Sequence, residues 1–161
     1  MQPAATIRKW QFEELGRTIG IVRFIIQGIP ADDLHTYRDG GNGWTVAEVI
    51  CHLRDFDEVF VERLRLTTEQ ENATLAPPAP DQWAAERKYN EQDVAQALDV
   101  WSQNREALLA YMNGLSESDW ACTVTHPVRG VMSATDQLLL MTWHDWNHIE
   151  QIVKILRQRS A

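Results

Sequence analysis

The chain has 161 residues and a net charge of −8 at pH 7, with a pI near 5.0. This excludes a general nucleic-acid binder, which needs a basic stripe to displace counterions from phosphates. Hydrophobic residues at 44% and charged residues at 24% are ordinary for a globular protein, and the length suits one domain spanning 1–161 whose core needs no disulfides.

Residues from about 5 to 27 read as a first helix, with Ile7, Leu15, Ile19, Val22, Ile26 and Ile29 at helical spacing. No charged-then-apolar leader follows Met1. The run from Ile19 to Ile29 is too short and too interrupted to span a bilayer, so no membrane partner is expected. Gly28 and Pro30 end the helix, because Gly permits a left-handed cap and Pro cannot continue the run. A loop follows, with Gly40, Gly41 and Gly43 giving it freedom.

Thr45 and Glu48 form a capping-box pattern, so a second helix starts near Val46 and runs to about Thr67. Val49, Leu53, Phe56, Phe60 and Leu64 mark its apolar side. His52 lies three residues after Val49 and four before Phe56, which turns it inward. There it requires a partner, either a hydrogen-bonding neighbour or a metal. Cys51, about 100° away on the helix, reads as core filler. Arg63 and Arg65 read as the solvated side of this helix.

Residues 71 to 86 form a linker in which Pro77, Pro78 and Pro80 block regular structure, with Trp83 expected to pin it to the bundle. Asn90 is the expected cap of a third helix, about 91 to 113, carrying Val94, Leu98, Trp101, Leu108 and Met112. Arg105 falls on the same stripe and needs a carboxylate or an exit to water. A second long connection, 116 to 135, contains His126, which precedes Pro127 and reads as a surface loop residue. Ser133 or Thr135 caps a fourth helix running to about Gln158. Long connections of this kind suit an all-α four-helix bundle with crossovers.

On the fourth helix, Leu138, Thr142, Ile149, Val153 and Leu156 define the expected apolar face. His144 and His148, at i and i+4, stand one above the other on its flank, where one divalent metal can meet both imidazoles and keep an open side. Asp145 projects near the middle of the apolar face and needs a partner, with Arg105 or a tryptophan N–H expected, or a ligand imidazole whose proton it accepts. Trp143 and Trp146 read as packing residues or groove walls. The His-x-x-x-His spacing alone is weakly specific, because the Glu of a His-Glu-x-x-His protease is replaced by Asp. An inward histidine on another helix strengthens it: three neutral imidazoles would bind a divalent ion and leave positions for water or substrate.

Two segments carry a resemblance. Trp44-Thr45-Val46-Ala47-Glu48-Val49-Ile50-Cys51-His52-Leu53 resembles the Trp-Ser/Thr-x-x-Glu-x-x-x-His-Leu opening of the second helix in the DinB/YfiT-like superfamily. The run His144-Asp145-x-x-His148-Ile149-x-Gln151-Ile152 is similar to its closing His-Asp-x-x-His-x-x-Gln-Ile motif. The resemblance implies a four-helix bundle holding a divalent metal, nickel or zinc, on His52, His144 and His148, and in many members a homodimer. It also implies kinship with transferases and isomerases that use low-molecular-weight thiols such as bacillithiol, mycothiol or glutathione, so the expected chemistry is a metal-dependent reaction on a small-molecule substrate, foremost transfer of such a thiol to an electrophile, or else hydrolysis. A helical bundle that binds metal or a small ligand without turnover is the alternative. Glu48, one turn before His52, either orients that imidazole or serves only the capping box.

Overall fold

Four amphipathic helices build the bundle. In the computed structural model, which describes residues 3–160, helix α1 spans Pro3–Ile26, a short α2 Ala31–Thr36 and α3 Val46–Glu69. After these come a short α4 at Pro80–Glu86, α5 at Val94–Asn113 and a short α6 at Glu117–Ala121. A hairpin of β1, Thr123–His126, and β2, Gly130–Ser133, leads into α7, Ala134–Arg157. Gly28 takes a φ of 77° just after α1, the left-handed conformation that lets the chain leave a helix without a Cβ clash. Thr45 and Ser133 head α3 and α7 with complete capping boxes to Glu48 and Asp136. Each satisfies backbone N–H groups that a helix start otherwise leaves open.

Three local expectations are corrected. Asp93, not Asn90, caps α5, accepting from Gln96 N at 2.7 Å. Asn90 instead ties two loops, accepting from the Thr45 hydroxyl at 2.6 Å and donating to the His35 carbonyl. The two connections are partly regular: Pro80 occupies the first turn of α4, where its missing N–H has no helical partner to lose. The second carries α6 and the hairpin, in which Thr123 pairs with Ser133 and His126 with Gly130.

Helices α1 and α3 both pack against α5 and α7, so α1 lies diagonally opposite α3, and α5 opposite α7. The connections from α1 to α3 and from α5 to α7 therefore cross the bundle. Its core divides into two apolar groups. One contains Val22, Ile50, Leu53, Trp101 and Ile152; the other contains Leu15, Phe60, Leu64, Leu108 and Met141. Each buried aliphatic side chain among these contributes roughly 2 kcal/mol. Polar side chains lie between the two groups, and that junction contains the site. Among the described residues no helix is long and apolar enough to cross a membrane.

Candidate metal centre

Helix α7 brings two of the three histidines and α3 the third. Leu138, Thr142 and Ile149 of the expected face of α7 are buried, but so are Met141, Asp145, Ile152 and Ile155, which turns the buried face toward the histidine side. Val153 and Leu156 are only half-buried. This rotation carries His144 and His148 in from the flank toward His52, which is 3% exposed on the inner face of α3.

The Nε2 atoms of His52 and His144 face each other at 3.0 Å, and one ring nitrogen from each of His52, His144 and His148 lies within 4.8 Å of the others. Two nitrogens each about 2.1 Å from one ion stand about 3.0 Å apart at a right angle and about 3.4 Å apart at the tetrahedral angle. The observed separation suits a shared ion. It equally suits a hydrogen bond between the bare imidazoles, one ring donating its Nε2–H to the other's lone pair.

The tautomer of His148 follows from its neighbours. Gln151 donates its amide Nε2–H to Asp39 Oδ2 at 3.0 Å, and a carboxylate can only accept. The amide oxygen therefore faces His148 Nδ1, at 2.7 Å, and must receive a proton from it. Nε2 of His148 is left as a lone pair pointing away from Gln151, the form a metal requires. Behind His144, Asp145 Oδ1 stands 3.8 Å from Nδ1, close enough to act through charge but too far for a hydrogen bond.

Aromatic rings close the sides. Trp44 stacks on His148 with centroids 6.3 Å apart and leans on His52 at 4.7 Å. Phe56 stacks on His144 at 4.7 Å, and Phe60 meets the same ring edge-on at 5.9 Å. Burial, aided by its two histidine neighbours, pushes His52 far below the ordinary imidazole range. Burial and then His144 lower His148 to about 4. Both rings are therefore neutral near pH 7 and available as ligands. Among the described residues no fourth Cys, His, Asp or Glu joins the group, and His144 keeps 16% of its side chain exposed. The donor set fits a divalent metal with an open side.

Asp145 is 1% exposed and belongs to a buried ion-pair layer. Arg105 donates to Asp145 Oδ2 at 2.8 Å, grips Asp57 with two bonds of 2.8 Å, and reaches the Leu15 carbonyl and the Thr18 hydroxyl. Burial pushes Asp57 up against the pull of Arg105, whereas the same guanidinium, against burial, holds Asp145 down. Arg105 was the expected partner. Asp57 was not foreseen, because its role depends entirely on a contact between α3 and α5.

Other residues fall differently. Glu48 accepts from Thr45 N at 2.8 Å and from Arg38 at 3.0 Å, which completes the capping box and leaves the histidines to other neighbours. Cys51 is wholly buried, and burial pushes its thiol up to about 11. Trp83 packs on Phe56, with centroids 6.0 Å apart, and so holds its connection to the bundle. Trp143 and Trp146 pack only at the surface, being 58% and 41% exposed, with the Arg129 guanidinium 5.6 Å from the Trp143 ring centroid. His126 is buried in β1 rather than on a surface loop, its Nδ1 accepting from Val128 N and Arg129 N across the hairpin turn. Arg63 is buried at 8% exposure, not solvated, while Arg65 is exposed as expected. Asp39 had no place at the site in the sequence reading, which named Trp44 only as part of the motif, without its contacts to His52 and His148. For Gln151 the i, i+3 spacing from His148 was an available signal.

Comparison with known proteins places this arrangement. A protein of Oceanobacillus iheyensis named as a candidate metal-dependent hydrolase is 27% identical over 157 residues, covering 96% of this chain and 88% of its own. YfiT of Bacillus subtilis, named likewise, is 25% identical over 123 residues, covering 76% and 68%. The solved structure of YfiT, described as having an unusual four-helix-bundle topology, superposes with a TM-score of 0.84 at 22% identity, over 95% of this chain and 87% of that one. A mycothiol-dependent maleylpyruvate isomerase shares the fold at a TM-score of 0.69 and 13% identity, the chain spanning 61% of its length. The model of the DinB superfamily matches residues 14–152, and the chain therefore belongs to the DinB superfamily.

Proposed function

We propose that the protein is a metal-dependent enzyme acting on a small molecule, with His52, His144 and His148 holding one divalent ion, nickel or zinc. The observation that carries this reading is the convergence of one ring nitrogen from each of three histidines within 4.8 Å, with no fourth Cys, His, Asp or Glu among the described residues. Bound there, the ion would supply a Lewis acid that lowers the pKa of water or of a thiol enough to give a nucleophile near neutral pH. The chain's own residues do the rest. Gln151 and Asp39 fix the His148 ring, Asp145 faces the rear of His144, and Trp44, Phe56 and Phe60 keep water from the sides.

Hydrolysis is the reading supported by the names of the two relatives above. Transfer of a low-molecular-weight thiol is the second reading, supported by the open side, which would admit a thiol as readily as water. The lack of a fourth ligand among the described residues weighs against pure storage. Cys51 and Cys122 are both free, in keeping with the reducing cytoplasm to which we assign the protein. Trp10, Trp143 and Trp146, exposed on the neighbouring helices α1 and α7, are our assignment for a homodimer face, which sedimentation of a Trp143→Ser variant would test.

Elemental analysis of untagged protein should give about one divalent ion per chain, and His148→Ala should remove it without unfolding the bundle. Absence of metal from the wild type, or full retention in the variant, would overturn the centre. Turnover of activated esters without added thiol supports hydrolysis. Turnover of electrophiles only with a thiol supports transfer, and turnover of neither returns the protein to the binding class.

A further inference from the structure

A deep cleft lined by none of the three histidines lies along α3. About 580 Å³ in volume, it runs between α3 and the connection that contains α4, with Val59, Arg63, Leu66, Pro77, Trp83 and Arg87 among its lining residues. Helix geometry aligns it with the metal centre. His52, Phe56, Phe60 and Arg63 follow one another at steps of four, four and three residues, which places them on one stripe of α3. His144 packs against both Phe56 and Phe60, and Arg63 lies about 4.5 Å of helix rise beyond Phe60. At the near end Trp83 lines the cleft and touches Phe56.

Arg63 is the unexplained residue in this cleft. It is 8% exposed, and its one protein hydrogen bond is a long one, 3.3 Å, to the Ala76 carbonyl. No carboxylate among the described residues lies within ion-pair distance. Its other nitrogens are not among the buried polar atoms that lack partners, so they open onto the cleft. Burial lowers its pKa with no neighbouring charge offsetting the loss. Every other buried arginine has an acidic partner: Arg8 pairs with Glu117, and Arg105 with Asp57 and Asp145. The acids along the cleft do not fill the role. Asp55 is taken by Arg54, Arg87 and Tyr89, and Glu58, Glu62 and Glu69 stand exposed at the rim, where water screens them.

We infer that Arg63 is a specificity residue that binds an oxyanion, carboxylate or phosphate, at one end of a small substrate whose other end reaches the three-histidine centre. A guanidinium offers two parallel N–H groups in the geometry such an anion accepts, and at this depth the bond is shielded from solvent. The reaction end of the inference rests on the metal-dependent reading above; the anion site does not.

Calorimetric titration of the full chain with inorganic phosphate and with succinate tests it, with each probe also added to the Arg63→Gln, Arg63→Lys and His148→Ala variants. The expected result is saturable binding of at least one probe, weakened tenfold or more in Arg63→Gln, partly restored in Arg63→Lys, and unchanged in His148→Ala. The probe that binds more tightly identifies the group as phosphate or carboxylate. Equal affinity in wild type and Arg63→Gln, with both melting cooperatively, would overturn the inference. So would loss of binding in His148→Ala, which would put the anion on the metal. Absence of binding for both probes also overturns it. Protein devoid of metal that still binds a probe through Arg63 supports the anion site while removing the catalytic reading.

Discussion

Two polar clusters interrupt the apolar core at nearly the same level, and they obey opposite rules. In the Asp57–Arg105–Asp145 layer the groups are complementary: the guanidinium makes bonds of 2.8–2.9 Å to two carboxylates, a hydroxyl and a carbonyl. In the histidine cluster the groups are alike. His52 and His144 present nitrogens to each other at 3.0 Å, and the buried Nδ1 of each has no hydrogen-bond partner. Folding alone accounts for the first cluster, since buried charges persist where they are paired. The second is compensated only in part, by Gln151 on His148 and by one contact between His52 and His144, and it gathers three ring nitrogens at one point, which is the behaviour of a site completed by something that binds to it. Burial and polarity are shared by both clusters. What separates structure from function here is whether the polar atoms find their partners within the chain.

The most severe way to break this comparison is to remove the shared partner. Arg105→Leu leaves Asp57 and Asp145 buried without a counter-charge and should lower unfolding free energy by about 3–5 kcal/mol, read as a shift of the urea midpoint. Replacing all three residues together with apolar ones of similar size should recover most of that loss, because the desolvation penalty goes with the charges. A loss below about 1 kcal/mol in the single variant would mean that the layer is not the ionic device described here.

Acid should act on the other cluster. His148 has its folded pKa lowered to about 4 and His52 is lowered further, while an unfolded histidine titrates near 6.5. Between those values the unfolded chain binds more protons than the folded one, so stability falls as pH drops from about 6.5 to 4 and is fully present above that window. For His148 the loss is about 2 kcal/mol after allowance for its partial exposure. Thermal melts of metal-free protein at pH 7 and pH 5 should therefore diverge in the wild type and diverge less in His148→Ala, where only the His52 linkage remains. Identical slopes in the two proteins would remove the assignment of neutral, desolvated rings.

Much of this contrast was legible in the sequence, and the limit has a physical cause. Local patterns gave the capped starts of α3 and α7, the His144–His148 spacing, the inward turn of His52 and the need of Asp145 for Arg105, since each depends on residues within a turn or on one buried charge demanding another. Asp57 carries no such mark, because its partner is on α5 and only the packing of α3 against α5 joins them. The burial of Arg63 is equally silent: its cover is the Ala76–Pro78 segment, which reads as a linker. The hairpin was hidden because two strands of four residues between turns carry too little alternation to register as strands. Asp39 lies in a glycine-rich loop whose composition promised freedom, yet the fold fixes it against Gln151.

That last contact gives the smallest and most discriminating test. Gln151 transmits the position of Asp39 to His148 through one amide whose orientation Asp39 dictates. Gln151→Leu should loosen the His148 ring and free its tautomer, weakening metal affinity about tenfold with little change in metal-free stability. Asp39→Asn can still offer an oxygen to the Gln151 amide and should weaken affinity less than about threefold. Asp39→Ala removes that acceptor and should approach the Gln151→Leu value. Because the two residues act in series, the double variant Asp39→Ala/Gln151→Leu should bind metal no more weakly than Gln151→Leu alone. Additive losses in a competition titration would mean that Asp39 reaches the centre by another route, and the histidine cluster would then owe its geometry to packing by Trp44 and Phe56 rather than to this relay.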